Sequence, residues 1–177
     1  MGKNLAGNMK TNSFLLLGIL LLAPISVFCQ IEEWRKWIAL ETAREEVEKI
    51  LGKPNKYFDT YGSYEAKEGK FSVWYSTGEC RNNVEGQQYK VPAGRMTGLY
   101  VRLHIGHPLE YYISDKGNYT KMESPMWGGR RYYTSPDETI TYQTIVPKDS
   151  AEFVYTISIE PGKDKQHLLC KSEKDKK

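Results

Sequence analysis

The first arrangement in this chain that could do covalent chemistry is a thiol three residues from an imidazole. Cys170 follows His167, and a neighbouring base is what turns a cysteine into a thiolate nucleophile. Both residues lie beside a lysine-rich chain end where no cleft is expected, and Cys80 offers Cys170 a simpler fate as a disulfide partner. His104 and His107 have a metal-like spacing. On a strand, however, an offset of three sends side chains to opposite faces, and zinc needs three or four converging ligands, so they read as a surface pair. Asp115, Asp137 and Glu138 stand in turn-forming contexts where carboxylates cap local N–H groups, and nothing pairs them as the acid and base of a hydrolase. No phosphate-cradling glycine loop and no nucleophile elbow occurs. The reading is a protein that is not an enzyme, with no cofactor and no metal.

Binding chemistry is better represented. The chain has 13 tyrosines, among them the adjacent pairs Tyr111-Tyr112 and Tyr132-Tyr133. In a strand such a pair puts one ring on each face. Residues 110–129 form a long irregular section holding Pro125, Trp127, Gly128 and Gly129, and a loop of that length in a compact domain is often functional. Together with Arg130, Arg131 and Tyr133, Trp127 makes the expected binding surface, because exposed aromatics beside arginines are the composition of a protein-binding or sugar-stacking patch. Ordinary aromatic packing within a sheet is the competing explanation. Trp34 and Trp37 read as lids on the core.

These groups sit in a chain with a leader. Lys3 and Lys10 precede an apolar run over 14–28, which reads as a secretory signal. The run has about 15 residues where a transmembrane helix wants roughly 20, and Pro24 interrupts it. Val27 and Cys29 suit the small positions before a cleavage site, giving a mature chain from Gln30; lipidation of Cys29 is the rival, against which Phe28 stands where such a site wants Gly or Ala. The expected location is therefore periplasmic or extracellular, with a membrane anchor only if Cys29 is lipidated, and no stable span after cleavage. Cleavage takes two of the 25 basic side chains and none of the 22 acidic ones, which lowers the net charge from +3 to +1. The lysines of residues 171–177 belong to an expected disordered tail, so the folded body lacks the basic face that nucleic acid would require. Cleavage also leaves Cys80 and Cys170 as an even pair in an oxidising compartment, read as a disulfide. Residues 30–170 make one domain.

The positioning elements are an amphipathic helix and a set of strands. Residues 42–54 hold a capping box at Thr42 and Glu45, an apolar side of Ala43, Val47, Ile50 and Leu51, and a stop at Gly52 and Pro54. Ile38 and Leu40 suggest a short extended lead-in. Beyond Pro54 the period changes to two. Strands are expected around 57–64, over 70–76, along Leu99, Val101, Leu103 and Ile105, over 130–134 and 139–146 as a hairpin about Ser135 to Glu138, and along Phe153, Tyr155, Ile157 and Ile159, after a turn at 147–150. The expected fold is α+β, with one short N-terminal helix packed on a curved antiparallel sheet of five or six strands.

The helix motif T-A-R-E-E-V-x-x-x-L-G-x-P over 42–54 resembles that of the BamE (SmpA/OmlA) family and of β-lactamase inhibitory proteins. A wider pattern, from Trp34 to Pro54, then Tyr75 to Cys80, Val91-Pro92 and Leu168 to Cys170, is similar to a family of uncharacterised secreted bacterial proteins. The first resemblance covers the helix and the first strands, the second most of residues 30–170. Both imply export, and the first implies action by binding other proteins with no catalytic residues. The functional expectation is an exported, non-catalytic binding protein of the bacterial cell envelope that contacts an envelope protein. The alternative is a carbohydrate or cell-wall binding module using exposed aromatics.

Overall fold

A computed structural model describes residues 30–78, 80, 88–126, 128–146 and 151–170. The expected leader, the charged tail, Trp127 and the turn at 147–150 lie outside the described residues. Contacts divide the chain into two units, Met1–Glu33 and Trp34–Lys177, and the sheet belongs to the second.

After a 3-10 helix at Gln30–Lys36 comes α1 (Arg44–Leu51), followed by β1 (Lys56–Phe58), β2 (Tyr61–Glu65), β3 (Gly69–Tyr75), β4 (Met96–Pro108), β5 (Thr120–Glu123), β6 (Arg130–Thr134), β7 (Ile140–Ile145) and β8 (Phe153–Ile159). All eight strands form one antiparallel sheet in the order β1-β2-β3-β4-β8-β7-β6-β5. Two four-stranded meanders thus join at β4 and β8, and the connection from β4 carries the chain to the far edge, from which it works back to the centre.

This corrects the expected α+β fold with five or six strands: the sheet has eight, and α1 is the one α-helix among the described residues. The missed strands had no hydrophobic signal to give. β1 and β5 are edge strands with every residue exposed, so nothing in them alternates between core and water. The section expected to be irregular, 110–129, is ordered into elements over its described residues up to 123. Leu109 and Ile113 are buried in the core, 3-10 turns form at Leu109–Tyr111 and Lys116–Asn118, and β5 follows. Tyr112 and Tyr119 pack on Tyr142, so this crossover covers the inner face of the sheet. The lead-in around Ile38 and Leu40 is a turn, in which Leu40 has φ 70° and Ile38 faces outward.

The helix begins one residue later than expected. Ala43 is its cap, and its N–H donates to Glu46 Oε2 at 3.0 Å; alanine has no acceptor to return the bond. Thr42 is buried, and its hydroxyl instead accepts from Ile38 N at 2.9 Å. Val47 enters the core with Trp34, Trp37, Phe71, Val73, Leu99, Val101 and Ile157, while Ile50 and Leu51 pack against its rim.

Glycine permits one close approach in this layer. A Cβ on Gly69 would stand 2.3 Å from Arg102 O, so only glycine lets β3 start against β4 there. Register changes explain two exposed apolar residues. Between Arg102 and His107 the pairing with β8 shifts, and Ile105, expected in the core row, is 74% exposed. Tyr155 is the extra residue between the pairs Gln143↔Thr156 and Thr144↔Val154, so Val154 turns inward and Tyr155 outward, the reverse of the alternation expected from sequence.

Candidate functional site

The four residues of the expected surface are not all found on one face among the described residues. Trp127 lies outside the described residues, and alternation along β6 separates the other three. Tyr133 points inward: it is 5% exposed and belongs to the core. Its hydroxyl donates to Glu152 Oε2 at 2.9 Å, and burial first, then that bond, push its pKa up to about 12. Glu152 also accepts from Thr144 Oγ1 at 2.6 Å and lies 3.8 Å from Arg131 Nη1. Arg131 Nε in turn donates to Glu123 Oε1 at 2.9 Å. This network satisfies a mostly buried carboxylate. Tyr133 and Arg131 are therefore used in holding β6, β7 and the start of β8 together, whereas Arg130 lies on the opposite face.

Cys80 and Cys170 form a disulfide with Cα atoms 5.7 Å apart. His167 Nδ1 lies 2.8 Å from Asp164 O. His104 Nε2 meets Glu65 Oε1 at 3.0 Å while His107 stacks on Tyr111. Asp115 and Asp137 accept from Gly117 N and Thr139 N within their own turns, and Glu138 pairs with Lys163. Among the described residues no cluster of three metal-binding side chains occurs, and no helix is long and apolar enough to cross a membrane.

The face of the sheet turned away from the core is the distinctive surface. Strand pairing aligns its outward side chains in rows that cross the strands, about 4.8 Å apart from strand to strand. One row is aromatic: Phe58 opposes Tyr61, which opposes Trp74, and the three rings are 6.3 and 5.7 Å apart in succession. The next row begins at Lys56 on β1 and is made of hydroxyl residues from β2 onward. Ser63, Ser72, Tyr100, Ser158, Thr141, Thr134 and Thr120 oppose one another in turn, one from each of β2 to β8. The third contains Lys70, Arg102, Thr156, Gln143 and Tyr132. Beside it Arg102 and Arg130, with Tyr100 and Tyr155, line a shallow concavity of about 300 Å³.

At the end of the aromatic row the surface opens into a groove of about 470 Å³, within the range of small-ligand sites. Gly98 lies opposite Trp74, buried beside its ring, and adds no side chain to the lining. A register shift between Trp74 and Tyr75 places Thr97 in the lining while Met96 fills the core. Ser158 and Glu160 form the side toward β8, and Gln88 and Tyr89 the end wall. Burial first, and the nearby Glu160 charge second, raise the Tyr89 hydroxyl pKa.

That end wall is held by the end of the chain. Tyr89 bridges Leu169, Lys90 N donates to Leu168 O and Cys170 N to Gln88 O, both at 2.8 Å, and the Cys80–Cys170 bond closes the assembly.

Sequence reasoning passed over this groove although one signal was present, a tryptophan alternating with serines on the polar side of β3. The arrangement offers ring faces, hydroxyl donors and acceptors and one carboxylate. Comparison with protein-family models, with curated proteins and with solved structures returns no match for this chain.

Proposed function

We propose that this is an exported, non-catalytic binding protein of the cell envelope that takes a carbohydrate on the open face of its sheet. The observation that carries the reading is the row of hydroxyl residues running from β2 to β8 beside the outward rings of Trp74 and Tyr61. Sugars present apolar ring faces and a rim of hydroxyls, so stacking on an aromatic and bonding to neighbouring hydroxyls satisfy both at once. The aromatic row of Phe58, Tyr61 and Trp74 is three rings wide and is bordered directly by the hydroxyl row, so ring faces and hydroxyls lie within reach of one ligand. The disulfide is compatible with export, and the sequence of the leader motivates it.

Retention of the protein from Gln30 onward on purified insoluble cell-wall glycan is the test. Wild type is expected to be retained and the Trp74→Ala, Tyr100→Ala double variant released. A wild-type protein that stays in the supernatant overturns the reading.

A protein partner is the second reading, favoured by Arg102 and Arg130 beside Tyr100 and Tyr155. It would be supported if envelope protein is captured from extract and Arg102→Ala abolishes the capture.

A further inference from the structure

We propose that the groove over Gly98 is a subsite for a single sugar residue, the anchoring point of a linear saccharide whose neighbouring residues follow the hydroxyl row. The inference rests on the carbohydrate reading of the open face and adds to it one position with a defined floor, walls and polar partners.

Gly98 is the starting point because, although it flanks the register shift between Trp74 and Tyr75, neither a backbone collision nor a left-handed φ demands a glycine there. A Cβ built on it would meet Trp74 Cε3 at 3.6 Å and Ile159 O at 3.9 Å, ordinary van der Waals contacts, and its backbone is not in the left-handed region. This separates it from Gly69, where a Cβ would collide with backbone. Glycine inside a strand weakens it and is found where a bulge, a bend or a close partner calls for it. Gly98 is itself buried beside the edge of the Trp74 ring and lines the groove, so a larger side chain there would push against that ring or into the groove.

The groups around that space match a sugar ring. Trp74, 44% exposed, offers a ring at one side. Thr97, Ser158 and Glu160 line the site. They supply two hydroxyls, which donate or accept, and one carboxylate, which only accepts. A saccharide residue with several O–H or amide N–H donors complements that set, whereas an acidic ligand would meet Glu160 unfavourably. Tyr100 and Ser158, opposite one another in the hydroxyl row, also line the groove, so a chain anchored over Gly98 passes directly onto the row.

Isothermal titration of the protein from Gln30 onward with soluble β-1,4 tetrasaccharides of N-acetylglucosamine and of glucose tests the subsite. Wild type is expected to bind at least one of them. Gly98→Val, which adds there a side chain suited to a strand, is expected to bind it at least tenfold more weakly with an equal or higher thermal midpoint. Glu160→Gln, which keeps the shape and removes the charge, is expected to weaken binding severalfold. Unchanged affinity in Gly98→Val overturns the subsite while leaving the carbohydrate reading in place. Binding of neither tetrasaccharide by wild type also overturns the subsite, and retention on insoluble glycan then decides the broader reading separately.

Discussion

The hydroxyls of Tyr64 and Tyr75 meet at 2.8 Å inside the core, with the Arg44 guanidinium 4.3 Å from the centre of the Tyr75 ring. Arg44 also bonds the Tyr57 hydroxyl and the Asp59 carbonyl, so one side chain ties the first turn of α1 to the β1–β2 hairpin. Burial raises the pKa of both Tyr64 and Tyr75, and it pushes Tyr133 and Tyr142 up to about 12. A raised folded-state pKa means stability that is complete below the unfolded value, near 10, and lost as pH rises through the folded value. Unfolding free energy is therefore expected to fall between about pH 10 and 12. Tyrosinate absorbance followed together with circular dichroism checks this: the buried tyrosines should ionise with loss of structure. Ionisation of all tyrosines near pH 10 in a folded protein would contradict it.

Glu152 gives a second prediction, which separates holding the fold from binding. Its carboxylate accepts from Tyr133 and from Thr144, whose side chain is fully buried. Replacing Glu152 with Ala strands both hydroxyls and is expected to cost roughly 1.5–3 kcal/mol in denaturant unfolding. Tyr133→Phe is expected to cost roughly 0.5–1.5 kcal/mol and leave ligand binding unchanged. A Tyr133→Phe variant of normal stability that fails to bind would return Tyr133 to the recognition surface.

How much the sequence disclosed depended on whether the signal was local. The helix was legible because Val47, Ile50, Leu51 and Gly52 lie within a few residues of each other, and the core strands were legible where Phe71, Val73, Leu99 and Val101 alternate. The cap was displaced because Thr42 and Glu45 fit the Ser/Thr-x-x-Glu pattern and the actual Ala43 and Glu46 do not, Thr42 being buried with its hydroxyl engaged by Ile38 N. β5 is all exposed, and the Tyr155 bulge depends on pairing with β4 and β7, so neither leaves a periodic trace. The groove left only the one local signal of Trp74 among serines, for the same reason. Trp74, Gly98 and Glu160 come together only through the register of β3, β4 and β8, whereas the chosen surface of Trp127, Arg130, Arg131 and Tyr133 rested on closeness in sequence.

The displaced cap yields a third prediction. Thr42→Val removes the acceptor for Ile38 N at a buried position and is expected to cost about 1–3 kcal/mol. Glu46→Ala removes one exposed capping bond and is expected to cost roughly 0.5–1 kcal/mol, and Glu45→Ala close to nothing. Chemical denaturation of the three variants checks the order; an effect of Glu45 larger than that of Glu46 would restore the cap to Thr42.

The last prediction concerns the bond between Cys80 and Cys170, which closes a loop across 90 positions of the sequence. On the chain-entropy account, a loop of that length restricts the unfolded state by roughly 4–5 kcal/mol, so Cys80→Ser with Cys170→Ser is expected to lower stability by about that amount. The local consequence is more specific. Gln88 and Tyr89 form the end wall of the groove, and besides the disulfide they are tied to the chain end by the backbone bonds of residues 88–90 with 168–170. None of the sheet's own pairings involves these residues. At a temperature where the double serine variant remains folded, amide hydrogen exchange is therefore expected to speed up at Lys90 and Cys170 while Val73, Val101 and Ile157 keep their protection, and saccharide affinity is expected to fall along with the wall. Equal loss of protection throughout the sheet would mean that the disulfide supports the whole domain and not the groove in particular.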